Sequence, residues 1–228
     1  MTLFESGARR PDRPDLSGQT VALIPVRSLT SGKSRLAGAL EDDQRSDLIG
    51  EMLGEVVAAA SGSGVVDRVI VISPDDAVLS LAGQFTRDLV TLRQDPDQPG
   101  LVAALDQGRA FATGQGAAAM LILFGDLPLL GTDDVRAMVA SAAPVVISPD
   151  RHGRGTNGLL LRSGQGSSDA LGQFRFRFGE DSFQRHLDEA DRLRVPAATV
   201  VTAGTSLDVD TPADLAEWSR RSAITAAH

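Results

Sequence analysis

The stretch that most narrows the fold of this chain is Ala118–Pro128, AAMLILFGDLP. A strand with one face in water alternates apolar and polar side chains, whereas Met120-Leu121-Ile122-Leu123-Phe124 is apolar throughout. Such a run reads as a strand covered on both faces, of the kind found in the middle of a parallel sheet. It stops abruptly at Gly125-Asp126-Leu127-Pro128. Ligands of open α/β sheets gather at the carboxyl ends of strands like this one, and Gly125 lets the backbone turn close to a ligand. Leu207-Asp208-Val209-Asp210-Thr211-Pro212 is a second acidic cluster where a strand gives way to a helix. In extended backbone Asp208 and Asp210 point the same way. Carboxylates this far apart in sequence can meet in the fold and hold a magnesium ion, which takes a few carboxylate oxygens together with water and substrate phosphate.

The rest of the chain alternates between strand and helix signals. Apolar runs at VALIPV (21–26), RVIVIS (68–73), PVVIS (144–148) and GLLL (158–161) read as strands. Helical spacing of Leu48, Met52, Val56 and Ala59 predicts a long helix over 43–60, ending at Gly62 and Gly64. Thr132 is placed as the N-cap of a further helix, and Pro212 in the first turn of the last one. Phe174, Phe176 and Phe178 alternate with Arg175 and Arg177, which predicts a strand with one aromatic face turned inward. The expectation is an α/β fold with a mostly parallel, three-layered sheet and a later antiparallel excursion. Residues 1–18 read as a flexible leader, 19–222 as a single domain and 223–228 as a tail.

Composition excludes several classes of function. A formal charge of -8 argues against general nucleic-acid or anionic-membrane binding. With no cysteine there is no disulfide, thiolate metal site or cysteine nucleophile, and three histidines leave little room for a histidine zinc site. The first residues are polar and charged, unlike a secretory signal, and no apolar run is long enough to cross a bilayer. A cytoplasmic location is the expectation.

Four other features bear on chemistry, each with a plain structural reading beside it. The loop RSLTSGKSRL places Lys33 and Arg35 after the first strand. Gly32-Lys33-Ser34 lacks the earlier spaced glycine of a Walker motif, so the loop is either a non-Walker polyphosphate cradle or a solvated charged loop. Asp126 can serve a site or simply make a turn; Asp210 or Thr211 can cap the last helix. The glycine-rich loop GRGTNG gathers Arg151, Arg154, Thr156 and Asn157. The segment FGEDS offers Ser182 at a helix start, either as an anion binder or as an ordinary N-cap. No role is assigned to His152 or His186.

Taken in order, PVRSLTSGKSRL, ISPDD, FGDLPLL, RGTNGLLLR, FRFGEDSF and LDVDTPADL resemble the guanylyltransferases of coenzyme F-420 biosynthesis (the CofC/FbiD family), over roughly Thr20 to Trp218. The resemblance implies a three-layer α/β/α, Rossmann-like nucleotidyltransferase of the nucleotide-diphospho-sugar-transferase type, with a mostly parallel mixed sheet. It implies transfer of GMP from GTP to phosphoenolpyruvate with release of pyrophosphate, or to 2-phospho-L-lactate or 3-phosphoglycerate. It further implies Mg2+ held by Asp126 and Asp208, cations Lys33 and Arg35 facing the GTP phosphates, and Thr156, Gly179 and Ser182 around the acceptor. Product would be handed on to a downstream deazaflavin transferase. Two departures stand out: Val102 replaces the Asn usual in Gly100-Leu101-Val102, and Arg27 stands where a Lys is frequent. A molybdenum-cofactor or sugar-phosphate nucleotidyltransferase would carry a glycine-rich first loop of another pattern. An inactive nucleotide-binding regulatory module would have no need to keep Lys33, Asp126 and Asp208 together.

Overall fold

The protein is described by a computed structural model covering residues 14–30, 33–166 and 169–225. Gly32, most of the expected leader and the last three residues of the expected tail lie outside the described residues. Seven strands form one sheet: Thr20–Pro25 (β1), Arg68–Ser73 (β2), Leu89–Arg93 (β3), Ala119–Leu123 (β4), Val145–Pro149 (β5), Thr156–Arg162 (β6) and Ala197–Thr199 (β7). Their order is β3-β2-β1-β4-β6-β5-β7. β6 alone runs against its neighbours, pairing antiparallel with both β4 and β5, while the other pairings are parallel. This is the mostly parallel mixed sheet expected, with the excursion located at β6.

The uninterrupted apolar strands are explained by their two covered faces. Along β1, Val21 and Leu23 join one core cluster while Ala22 and Ile24 join another. The first face carries the helices Leu101–Gly114 (α3), Ala170–Gln173 (α5) and Ser182–Leu193 (α6). The second carries Asp42–Gly62 (α1), Asp76–Phe85 (α2) and Thr132–Ala140 (α4). A short helix, Ala203–Ser206 (α7), and the final helix, Pro212–Thr225 (α8), complete the chain order. α3 comes close to β1 at Gly108, where an added Cβ would lie 2.5 Å from a Leu23 methyl.

Local expectations differ from the structure at five places, the first being residues 207–210, which link α7 to α8 without forming the strand expected before the last helix. Gly131, not Thr132, caps α4, and its N–H donates to Asp134 Oδ2 at 2.7 Å, so the third helical residue reaches back to the cap. Ser182 is likewise the first residue of α6 rather than its cap; Asp181, at φ 52, holds that position. The Phe174–Phe178 segment pairs with no strand among the described residues, although Phe174 and Phe176 are buried as their alternation predicts. Packing also starts before residue 19: Leu16 is fully buried, and its N–H donates to the Gln115 carbonyl at 2.9 Å.

Candidate active site

The site forms where β1 and β4 end side by side, in register from Thr20 opposite Ala119 to Leu23 opposite Ile122. Beyond β4 the chain turns at Gly125 and presents Asp126. Beyond β1 it returns to the same place at Lys33, whose φ of 55 lies in the left-handed region that side chains other than glycine rarely adopt. A single-turn 3-10 helix, Ser34–Leu36, follows. Leu36 is fully buried in a third apolar cluster with Met52 of α1 and Val209, against which Leu215 and Trp218 of α8 pack. That cluster fastens the two remote segments together. With Leu207 and Val209 buried, the intervening Asp208 and following Asp210 face the other way, toward the strand ends. The Val209 N–H also donates to the Asp126 carbonyl at 3.1 Å.

Four charged groups therefore meet. Lys33 Nζ lies 2.5 Å from Asp126 Oδ2 and 2.6 Å from Asp210 Oδ1. Burial pushes the Lys33 ammonium down, but the two carboxylates outweigh it and hold the group above its ordinary value. Asp208 is held above the usual carboxylate range, first by burial and then by the negative charge of Asp126, against the hydrogen bond it accepts from Asn157 Nδ2 at 3.2 Å. Asp126 and Asp210 thus hold the ammonium, with Asp208 near enough for their charge to act on it. A cleft of about 300 Å3 opens here, lined by Arg27, Ser28, Lys33, Phe124, Asp126 and Asp210 among others.

Not every expected residue joins this cleft: Asp208 lies next to it but is not among its lining residues. Arg35 is exposed on the 3-10 turn and is not among the lining residues; two positions beyond Lys33, it is carried away while Leu36 is drawn into the core. The second cation at the cleft is Arg27 instead. Thr156, Gly179 and Ser182 form a separate, adjoining group. The Phe183 N–H donates to the Arg154 carbonyl at 2.9 Å and Arg154 Nε donates to Asp181 at 2.8 Å, tying the RGTN and FGEDS loops together. Thr156 and Ser182 are buried, and Gly179 has φ 114 with open space where a Cβ would be. The two groups touch through Phe124 and Phe178, whose ring centroids are 5.2 Å apart, edge to face.

Two residues left without a role turn out to link the parts. Asn157 donates both to the Thr205 carbonyl at 3.0 Å and to Asp208, joining RGTN to DVDTP. His186 of α6 is fully buried and joins Thr156 to the phenylalanine segment. A third link has a partner the sequence did not indicate: Arg151 pairs with buried Asp214, which accepts from the Thr211 N–H at 2.8 Å and so completes the cap of α8. Val102, at the position of the missing Asn, is exposed on the first turn of α3.

The sequence profile of the family described as "Guanylyl transferase CofC like" matches residues 20–220. The phosphoenolpyruvate guanylyltransferase of Rubrobacter xylanophilus is 42% identical over 198 residues, covering 86% of this chain and 91% of that protein. That of Sphaerobacter thermophilus is 37% identical over 200 residues, covering 87% and 91%. Among solved structures, a nucleotide-diphospho-sugar transferase described as putative, from Desulfovibrio desulfuricans G20, superposes with a TM-score of 0.72 at 17% identity, covering 90% of this chain and 87% of that one. At that identity the likeness speaks for the fold. No helix among the described residues is long and apolar enough to cross a membrane.

Proposed function

Because this chain belongs to the CofC-like guanylyl transferase family, we propose that it transfers GMP from GTP to phosphoenolpyruvate and releases pyrophosphate, in coenzyme F-420 biosynthesis. The acceptor is named from the relatives, which carry that activity in their names over nearly their whole length. The observation that carries the reading is the meeting of Lys33, Asp126, Asp208 and Asp210 at the carboxyl ends of β1 and β4.

In the reaction an oxygen of the acceptor phosphate forms a bond to the α-phosphorus of GTP. The bond from that phosphorus to the oxygen bridging to the β-phosphate breaks, and pyrophosphate leaves with the electron pair. The nucleophile is already an oxyanion, so no general base is needed, in keeping with a cleft that offers cations and carboxylates. The obstacle is bringing two strongly anionic molecules together. Lys33 supplies a positive point charge at the cleft floor and Arg27 one at its rim. The adjoining Thr156–Ser182 group, with Gly179 leaving open space, receives the small acid.

The donor set fits a divalent cation. Asp126, Asp208 and Asp210 lie close together, burial and then the charge of Asp126 hold Asp208 above the usual carboxylate range, and the Lys33 ammonium already bridges the other two. Among the described residues no group of three acidic or imidazole side chains could hold a metal ion by itself; Mg2+ would take water and phosphate oxygens besides carboxylates. Asp126 and Asp208 would hold it, and its charge would be shared with the phosphates of GTP. Asp126 meets Lys33 through Oδ2, which would leave its other oxygen for the cation. The labile product is handed to a downstream deazaflavin transferase.

The test is pyrophosphate release from GTP and Mg2+ with phosphoenolpyruvate, 2-phospho-L-lactate or 3-phosphoglycerate as acceptor. Release is expected with phosphoenolpyruvate in preference to the other two. Release with none of the three acids overturns the assignment.

A further inference from the structure

His186 is placed on the first sheet face, with the Phe178 ring 4.6 Å from its own ring and the Phe174 ring at 5.6 Å. Both ring nitrogens are used. Nε2 accepts a hydrogen bond from the Arg177 backbone N–H at 3.0 Å. Nδ1 lies 3.0 Å from Thr156 Oγ1. A neutral imidazole carries one proton, and a nitrogen that accepts from a backbone N–H cannot hold it. The proton is therefore on Nδ1, and Nδ1–H donates to Thr156 Oγ1. A hydroxyl has one proton of its own. Since the imidazole cannot take it, Thr156 must direct that proton elsewhere. The ring stays neutral because burial, helped by the nearby Arg177 charge and opposed by Glu189, pushes its pKa down to about 4.

The place where this occurs is not arbitrary. β6 runs antiparallel to β4, so its first residues lie beside the carboxyl end of β4, Leu123 being opposite Gly158. Leu159 and Leu161 face the first core cluster and Leu160 the second. Strict alternation would send Thr156 to the same side as Leu160. The register of β5 against β6 shifts between Ser148 and Pro149, and Thr156 instead meets α6. Irregularities of this kind re-aim side chains and are common beside active sites.

We infer that His186 is a positioning residue for the acceptor acid: by donating from Nδ1 it fixes the Thr156 hydroxyl as a hydrogen-bond donor to an anionic oxygen of that acid. The inference rests on the proposed function, in which Thr156 belongs to the acceptor site.

Two measurements test it. Long-range proton–nitrogen correlation spectra of protein carrying 15N-histidine read the tautomer directly, with His186→Asn identifying the resonance among the three histidines. Protonation at Nδ1 is expected, and protonation at Nε2 overturns the inference. For the kinetic test, His186→Phe keeps an aromatic ring but neither hydrogen bond. It should raise KM for phosphoenolpyruvate about tenfold, the scale of one hydrogen bond to a charged group, and leave KM for GTP within about twofold. In a Thr156→Val background the same change should add less than about twofold, because the hydroxyl it orients is gone. Equal effects in both backgrounds overturn the inference while the function stands. Should the phenylalanine variant not fold, His186→Asn, whose amide can still donate to Thr156, takes its place and should keep KM for phosphoenolpyruvate within about threefold; a tenfold rise there overturns the inference. A wild-type enzyme inactive on every acid overturns the function, and this inference with it.

Discussion

At the scale of single residues the site is a problem of charge. Asp126, Asp208 and Asp210 would repel one another in an empty cleft, and Lys33 holds two of them at hydrogen-bond distance. Replacing Asp126 by Asn keeps the shape and removes one charge. Turnover should fall about a hundredfold, the usual scale for losing one preorganised electrostatic partner. The melting temperature should hold within about 2 °C, because Lys33 retains Asp210. Steady-state pyrophosphate release and a thermal melt check both, and near-normal turnover removes Asp126 from the site. Asp126 was legible in the sequence because a buried strand and a glycine precede it. The place of Arg35, exposed and off the cleft lining, was not legible. Nearness in sequence to Lys33 says nothing about direction, and burial of Leu36 decides which neighbour faces the cleft.

At the scale of elements, close approach controls what each position tolerates. Gly108 lies on the inner side of α3, where an added methyl group would strike the Leu23 side chain, while Gly83 of α2 has nothing within 4 Å of its missing Cβ. Gly108→Ala should therefore destabilise by about 1–3 kcal/mol through overpacking. Gly83→Ala should stabilise by up to about 1 kcal/mol through helix propensity. Urea unfolding of the two variants checks the contrast, and equal shifts would mean that α3 does not lie as close to β1 as described. Element types were largely readable, since burial on two faces leaves uninterrupted apolar runs and burial on one leaves a helical stripe. Helix starts were read less well. Thr132 and Ser182 are good capping residues one position too late, because the caps are set by the side chain of Asp134 and by the turn through Asp181. The Phe174–Phe178 alternation reports inward-facing rings correctly, yet pairing with a neighbour is what makes a strand, and none is there among the described residues.

At the scale of the whole molecule, stability should depend on pH in a way that can be assigned. His186 has a folded pKa of about 4 against an ordinary 6.5. Between those values the unfolded chain binds more protons, so stability falls as pH drops from about 6.5 to 4, by on the order of 3 kcal/mol. Asp214 and Glu189 are held below their ordinary values; burial opposes this, but the hydrogen bonds they accept from Thr211 and from Arg192 prevail. Their contributions are present above the ordinary carboxylate range and are lost only as pH falls through the lower folded values. Asp208 has the opposite sign, its raised value costing stability as pH climbs past the ordinary carboxylate range. Urea unfolding from pH 7 to 4.5 should show the histidine slope, and His186→Asn should flatten it. A flat profile in the wild type would contradict a neutral, buried imidazole.

The sequence by itself determined the layered α/β architecture, the strand end that carries Asp126 and the acidic pair before the last helix. These follow from local periodicity and from the few backbone shapes that glycine and proline allow. Tertiary structure alone decided that Lys33 sits between Asp126 and Asp210, that Asn157 reaches Asp208, and that His186 closes on Thr156. Each of those contacts joins residues from different elements. Their geometry depends on how buried anchors such as Leu36, Val209 and Leu159 pack, and packing between distant segments leaves no periodic mark on either one.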